Sequence, residues 1–365
     1  TAGVTSMNQD GLALAVHQHG SRDSSVGGVP ILDIVHAISR KAASVDEAVE
    51  MAMSIKATGG WTIVAAGGAS RDAAAIEMSY AGVAVRRLRH DVLVAANVFE
   101  DEKLLEREIT ANVSSVASDR ARKERARGLA SSSTVGLSRM ASLLGDHFDP
   151  LAGVERSAGF TISRITNLSS VLFSLDDRRF WVAEGTAPTS KGGFVGFDLD
   201  SELGGGGSTV GRLEGAGPPS SRTTAAQDRY LEAYKQYVNS GDLARVHAIV
   251  GECVAMDPGE PTFHFMEGLL RAMLGNTKGS LTAIETAMDM ERVEAKKTVE
   301  LLWKARLLDL MDRRREAKSA YGELLGAEDC PPFVARSAGH GMKRAYEEKA
   351  LGGVLLDFTN GDTFE

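Results

Sequence analysis

Short runs of apolar or alternating residues, bounded by Gly, Asn or Asp, occupy most of the first 200 positions. Such runs predict β-strands of about five to eight residues. Between the first two runs, apolar residues recur at i, i+3, i+4 and i+7 from Ile31, which predicts an amphipathic helix. Ser44 and Glu47 form a capping box that begins a second helix, and Asp10 followed by Gly11 predicts a hairpin turn. The predicted strands are GLALAVHQ, GWTIVAAGG, AAAIEMSYAGVAVRRL, DVLVAANVF and two in FTISRITNLSSVLFSLDDRRFWVAEG.

A change in composition separates this mixed region from a nearly all-helical one. Residues 201–227 are mostly Gly, Ser, Pro and Thr with almost no large apolar side chain, which predicts a flexible linker. Along residues 1–200 the pattern runs strands, helices, strands, helices and strands, and the second helical stretch begins after Asn97. This order predicts an α+β domain, with helices packed on a sheet, over residues 1–200.

The region after the linker carries an internal period. Gly241 and Gly275 lie 34 positions apart, and a further turn at Asp312 follows Asn276 by 36 positions. A period near 34 with small residues at helix-packing positions is typical of tetratricopeptide repeats. We therefore predict a tetratricopeptide-like domain over residues 228–350, or else a plain helical bundle. Residues 351–365 are interpreted as a tail.

Composition excludes several classes of protein. Hydrophobic residues (43%) and charged residues (25%) have ordinary globular frequencies, and the net charge of -8 weighs against nucleic acid as a partner. We expect no membrane association, because no apolar run approaches the length of a membrane-spanning helix. Cys253 and Cys330 are the only cysteines and predict neither a disulfide framework nor a metal site.

The chain has no phosphate-binding loop, zinc-protease motif or serine-hydrolase elbow, so we expect no cofactor. The compartment stays open, with the cytoplasm favoured.

Six segments in sequence resemble one family. The resemblance covers residues 1–200, and it is to acyl-coenzyme A:6-aminopenicillanic acid acyltransferase and its relatives, the linear amide hydrolases akin to choloylglycine hydrolases. It implies an N-terminal-nucleophile fold, with two stacked antiparallel sheets between helical layers. It also implies a precursor that cleaves itself to expose a Cys, which takes the acyl group of an amide or thioester and passes it to water or an amine. The segments are TSMNQDGLALAVHQ, GGVPILDIVHAI, SVDEAVEMAMSIKATGGWTIVAAGG, AAIEMSYAGVAVRR, VLVAANVFED and SDRARKERARGL.

The nucleophile has two interpretations. If the turn at Met7 is the family's MN..GLA turn, the catalytic Cys lies upstream of Thr1, and this chain is a fragment with no Cys before Cys253. Alternatively, Thr1 begins the catalytic strand, and its own α-amine serves as the base for its hydroxyl.

The resemblance also implies site residues. Asn97 stands where the family has an Asn that donates to the oxyanion of the tetrahedral intermediate, although a turn Asn is the plain alternative. Val98 replaces the His that usually follows. Arg120 matches a Ser-x-Arg pattern that supplies an active-site Arg in the choloylglycine relatives, while the Arg- and Lys-rich run around it is also typical of a solvated helix face.

Three further residues are candidates for lining the substrate pocket. Gln18 stands where relatives carry a polar amide, His17 is its neighbour, and Trp61 is an aromatic residue that could border an apolar pocket. Strand alternation places His17 and His19 on one side and Gln18 on the other. Polar residues at a strand end and a packing aromatic are the plain alternatives.

Together these features predict an amidohydrolase or acyltransferase of the N-terminal-nucleophile type. Its substrate is a small-molecule linear amide or acyl thioester, and the helical repeats are a possible binding surface for a protein partner. A different class of hypothesis is a non-catalytic scaffold that binds a peptide through its helical region.

Overall fold

The computed structural model divides the chain into two compact units. Helix α4 runs from one unit into the other, and its residues from Arg122 onward belong to the first unit. The first unit comprises 1–110, 122–146 and 167–217, and the second comprises 111–121, 147–166 and 218–365. The structure describes residues 4–110, 112–131, 135–217 and 219–364, so the predicted nucleophile Thr1 lies outside the described residues.

The first unit contains a five-stranded antiparallel sheet in the order β1-β2-β3-β4-β5. One face of the sheet carries Leu12, Ile63 and Ile76, which are buried against the apolar faces of α1 and α2. These helices form where the sequence pattern predicts them. The elements are β1 (Thr5–Met7), β2 (Leu12–His19), α1 (Ile31–Lys41), α2 (Val45–Met53), β3 (Gly60–Gly67), β4 (Asp72–Met78) and β5 (Val83–Arg87).

Local capping explains why these elements begin and end where they do. The Ser44 side chain accepts the backbone N–H of Glu47 at 3.2 Å, as the capping box predicts. At the β1–β2 turn, Asn8 Oδ1 accepts the backbone N–H groups of Asp10 and Leu12 at 3.0 and 2.9 Å. Gly11 has a φ of +77°, which only glycine adopts without strain. The predicted turn is therefore confirmed.

A four-stranded antiparallel sheet, β11-β10-β9-β8, completes the first unit and packs on α5. Turn contacts connect it to the first sheet: Arg71 pairs with Asp176 at 3.1 Å. Residues 201–227 differ from the predicted flexible linker, because part of α6, the whole of β11 and the start of α7 lie within them. The elements are α3 (Glu102–Leu105), α4 (Val113–Ser131), α5 (Leu137–Leu144), β6 (Phe148–Asp149), β7 (Val154–Glu155), β8 (Val171–Ser174), β9 (Arg179–Ala183), β10 (Phe194–Asp198), α6 (Leu199–Leu203) and β11 (Thr209–Leu213).

The predicted strand DVLVAANVF is absent, because residues 92–100 form an irregular segment. Side chains of the sheet hold this segment instead of a ladder of backbone hydrogen bonds. Arg86 donates to the carbonyl oxygen of Val94 at 3.1 Å, and Glu77 accepts the backbone N–H groups of Glu100 and Asp101, each at 2.9 Å. Strand β5 is consequently the edge of its sheet.

The second unit is dominated by seven consecutive helices within the described residues. The turns at Gly241, Gly275 and Asp312 have positive φ values of +64°, +82° and +58°, at the positions that the sequence period indicates. The residues beyond 350 are packed rather than a free tail, since Phe358 is buried against Tyr230 at a ring distance of 5.3 Å. The elements are α7 (Ser221–Ser240), α8 (Leu243–Met256), α9 (Pro261–Met273), α10 (Thr277–Met290), α11 (Glu294–Leu310), α12 (Arg314–Gly326), α13 (Pro332–Lys343), β12 (Leu355–Asp357) and β13 (Asp362–Phe364).

A buried ion cluster lies within the second unit. The Arg156 guanidinium, 3% exposed, donates to Glu260 at 2.5 Å and to Glu291 at 3.0 Å, and it lies 3.7 Å from Asp149. It also donates to the Thr262 hydroxyl at 3.1 Å. Three carboxylates therefore share one arginine in a dry interior, where charges are tolerated only when paired.

Candidate active site

Three polar groups meet at the end of β2. The Asn97 amide nitrogen donates to the backbone carbonyl of Gln18 at 3.2 Å. The amide oxygen of Asn97 accepts from Arg122 Nη2 at 3.4 Å. Two partners therefore orient the amide plane, and the NH₂ group retains a second N–H that the described contacts do not use. His17 precedes Gln18 on β2, and the Arg122 charge acts on its imidazole.

His17 is held in its neutral form. Burial, together with smaller effects of His19 and Arg122, lowers the pKa of His17 to about 4. A neutral imidazole has one N–H donor and one nitrogen acceptor, so it can give or take a hydrogen bond near neutral pH.

The neighbouring His19 belongs to a buried structural network. Its Nε2 lies 2.8 Å from the Thr62 hydroxyl, and its Nδ1 lies 3.3 Å from Glu108. The Phe99 ring stacks on the imidazole with a centroid distance of 4.1 Å. Because Phe99 follows Asn97 by two residues, this stacking positions the segment that carries the amide.

A second anchor of the same segment is the Glu100 carboxylate. Arg86 pairs with it at 2.5 Å, Lys123 at 3.2 Å and Arg127 at 4.0 Å. Two of these cations come from α4, the helix that also carries Arg122. Side chains of the sheet and of α4 therefore hold residues 97–101 in place. Asn97 has a fixed position although it does not lie in a strand.

The structure separates the predicted site residues. Gln18 is exposed, and its contribution to the cluster is the backbone carbonyl. Trp61 lies directly opposite Gln18 in the ladder and packs on the apolar core, on the face of the sheet opposite to His17. Arg120 is exposed. The roles assigned to these three residues stay predictions.

Arg122 is the residue that the sequence analysis missed. Arg122 continues the row of Ser114 and Ser118, which are buried at a spacing of four, but the burial that marks this row is seen only in the folded helix. The family pattern directed attention to Arg120 instead, two positions earlier and therefore on another side of the helix.

The two thiols are unsuited to nucleophilic attack. Cys253 is fully buried in the second unit, and burial raises its pKa to about 12. Burial also raises the pKa of Cys330. Both are therefore protonated near neutral pH, and a thiol is a much weaker nucleophile than a thiolate.

The described part of the chain has no group of three His, Cys, Asp or Glu side chains arranged to bind a metal ion. None of its helices combines the length and the apolarity needed to cross a bilayer.

Comparison with known families shows to which family the first half of the chain is related. The family model for acyl-coenzyme A:6-aminopenicillanic acid acyl-transferase matches residues 1–187. The chain belongs to this family. Membership suggests an acyltransferase or hydrolase, and it agrees with the resemblance seen in the sequence. No curated protein matches the chain.

The matched region of the acyl-transferase family contains the whole cluster around Asn97. It ends before β10, so the seven helices α7 to α13 lie outside the match. The match therefore covers the residues of the candidate active site, and the function of helices α7 to α13 has to be inferred from their own residues.

Proposed function

We propose that this protein transfers an acyl group from a linear amide or a thioester to water or an amine, through an acyl-enzyme of the N-terminal-nucleophile type. The cluster of Asn97, Arg122 and neutral His17 in the family-matched unit is the observation that carries the proposal. In this proposal the two antiparallel sheets form the sandwich of that superfold, and the helices of the second unit are tetratricopeptide-like.

Asn97 is proposed to stabilise the oxyanion. Attack on an acyl carbonyl places negative charge on its oxygen, and an amide N–H aimed at that oxygen lowers the barrier. The bonds from Asn97 to the Gln18 carbonyl and from Arg122 to Asn97 fix the amide before the reaction. A preorganised donor needs no rearrangement as the charge develops, which is why such donors are effective.

The nucleophile is proposed to be a Cys upstream of the given sequence or, alternatively, Thr1 with its own α-amine as base. The neutral thiols of Cys253 and Cys330 support a nucleophile outside the helical unit. Arg120 and Gln18 are proposed to contact the substrate, and Trp61 to border its acyl chain.

The test uses the product of the natural gene, expressed from its own start, with octanoyl-coenzyme A and octanoyl p-nitroanilide as substrates. Asn97→Ala is expected to lower kcat about 10²- to 10³-fold with little change in KM. Asn239→Ala, an exposed amide on α7, is the matched control and should leave both constants unchanged. A wild-type protein that turns over neither substrate, or an Asn97→Ala variant with full kcat, would contradict the proposal.

N-terminal sequencing of the same protein distinguishes the two nucleophiles. If the mature chain begins at Thr1, Thr1→Ala should abolish both processing and turnover. If it begins at an upstream Cys, Thr1→Ala should preserve both.

A further inference from the structure

A cavity of about 510 Å³ lies in the second unit, among α11, α12, α13 and the segment that follows α13. Its volume falls in the range of small-molecule sites, which are a few hundred to about a thousand Å³. Small side chains at Ala345 and Ala350 leave the space open. The cavity is outside the family match and is unrelated to the cluster around Asn97.

The lining of the cavity has a net positive charge, whereas the whole chain has a net negative charge. Four residues of the lining carry a fixed positive charge, Arg306, Lys343, Arg344 and Lys349, and one, Glu347, carries a negative charge. The whole protein has a net charge of -8. A local excess of cations around a concave surface attracts anions selectively.

The single carboxylate of the lining is already neutralised. Arg344 pairs with Glu347 at 2.5 Å and Lys349 pairs with it at 2.6 Å. The Lys343 ammonium is exposed, and no carboxylate among the described residues pairs with it. Lys343 is therefore the cation best placed to meet an incoming negative group.

The inner wall of the cavity is aromatic and rigid. The Arg306 guanidinium carbon lies 4.8 Å from the centroid of the Trp303 ring and 5.0 Å from that of Tyr346. Arg306 is 5% exposed, so this stacking holds its long side chain in place. Tyr321 closes the wall and is anchored by a 3.0 Å hydrogen bond to Asp309.

We propose that this cavity binds a small organic anion, with a carboxylate, sulfonate or phosphate head at Lys343 and an apolar body against the Tyr346 ring. The apolar wall excludes a free inorganic ion as the preferred ligand, because such an ion has nothing to bury there. The limited volume favours a compact molecule over an extended acidic peptide.

The probe for the test is 1-anilinonaphthalene-8-sulfonate, an aromatic body with one sulfonate, titrated by fluorescence into the 365-residue chain. Octanoate should displace it, and octylamine, which has the same chain length but a positive head, should not. Lys343→Glu should raise the Kd of the probe about tenfold, because it replaces an attraction by a repulsion at the head. Ala345→Trp, which fills the cavity, should abolish the signal that octanoate displaces.

Lys278→Glu is the matched control, since Lys278 is an exposed lysine on α10 outside the cavity. It should change the Kd less than twofold. Equal effects of the two charge reversals, or displacement by octylamine as effective as by octanoate, would overturn the proposal. Displacement by an acidic peptide but not by octanoate would also overturn it in favour of a peptide site. If Lys343→Glu fails to fold by circular dichroism, Ala345→Trp and the two competitors still decide the question.

Discussion

Replacing Arg156 by Met tests the most concentrated electrostatic interaction of the helical unit. The substitution keeps the volume of the side chain and removes the charge that Glu260, Glu291 and Asp149 share. All three carboxylates are at most 2% exposed, so water cannot replace the arginine. Removing one partner of a buried ion pair typically lowers the free energy of unfolding by about 3–5 kcal/mol.

The carboxylates can limit this loss by taking up protons. Protonating one carboxyl with an ordinary pKa costs about 3.7 kcal/mol at pH 7 and about 1 kcal/mol at pH 5. We therefore expect Arg156→Met to lower the free energy of unfolding by about 4 kcal/mol at pH 7 and by about 2 kcal/mol less at pH 5. For a unit of roughly 180 residues, the loss at pH 7 corresponds to a fall in Tm of about 10 °C.

The sign of the pH dependence follows from the wild-type cluster. Burial by itself would raise the pKa of Glu291, but the charges of Lys296 and Arg156 outweigh it and lower that pKa. A lowered pKa in the folded state stabilises the protein above the ordinary pKa of a Glu and loses this effect in acid. Without Arg156 the pKa rises, so the destabilisation is greatest at neutral pH.

The assay is urea unfolding followed by the fluorescence of Trp303, in a background of Trp61→Phe and Trp181→Phe that leaves Trp303 as the one indole. Trp303 is buried in the second unit and reports on that unit alone. Arg229→Met is the matched control, because Arg229 makes an equally close bidentate pair with Glu252 on the surface. The control should cost less than about 1 kcal/mol. Equal costs for the two variants at pH 7 would refute the argument.

Two further predictions concern the same unit. Burial raises the pKa of Asp362 to about 6, so its contribution to stability should fall as pH rises from about 4 to 6. Asp362→Asn should remove this contribution, so that the Tm of the variant relative to wild type rises over this pH range. A Cβ at Gly341 would lie 2.3 Å from the Tyr321 ring, so Gly341→Ala should cost about 1–3 kcal/mol by overpacking. At Gly339, on the same helix, a Cβ meets nothing within 4 Å, so Gly339→Ala should be neutral or stabilise by up to about 1 kcal/mol in the same unfolding assay.

Part of the candidate site was predictable from sequence. Asn97 was selected by the family pattern and His17 as the strand neighbour of Gln18, and the structure shows that Arg122 donates to Asn97 and acts electrostatically on His17. The pattern could not select Arg122 over Arg120, because both are arginines on one helix and only the partner of that helix distinguishes its sides. Nor could it show that Asn97 is held by side chains of the sheet and not by a strand of its own.

Local periodicity was sufficient for β2, β3, α1 and α2, whereas the run AAAIEMSYAGVAVRRL divides into the two strands β4 and β5. Strand alternation, helix caps and the glycine turn at Gly11 act between residues a few positions apart, so they are present in the linear chain. Tertiary structure alone decided the features that join distant positions. Arg156 meets Glu260 and Glu291 from 104 and 135 positions away, and Phe358, which the sequence left in a tail, is buried against Tyr230. No local pattern encodes such contacts, because burial and charge pairing depend on which surfaces the folded chain brings together.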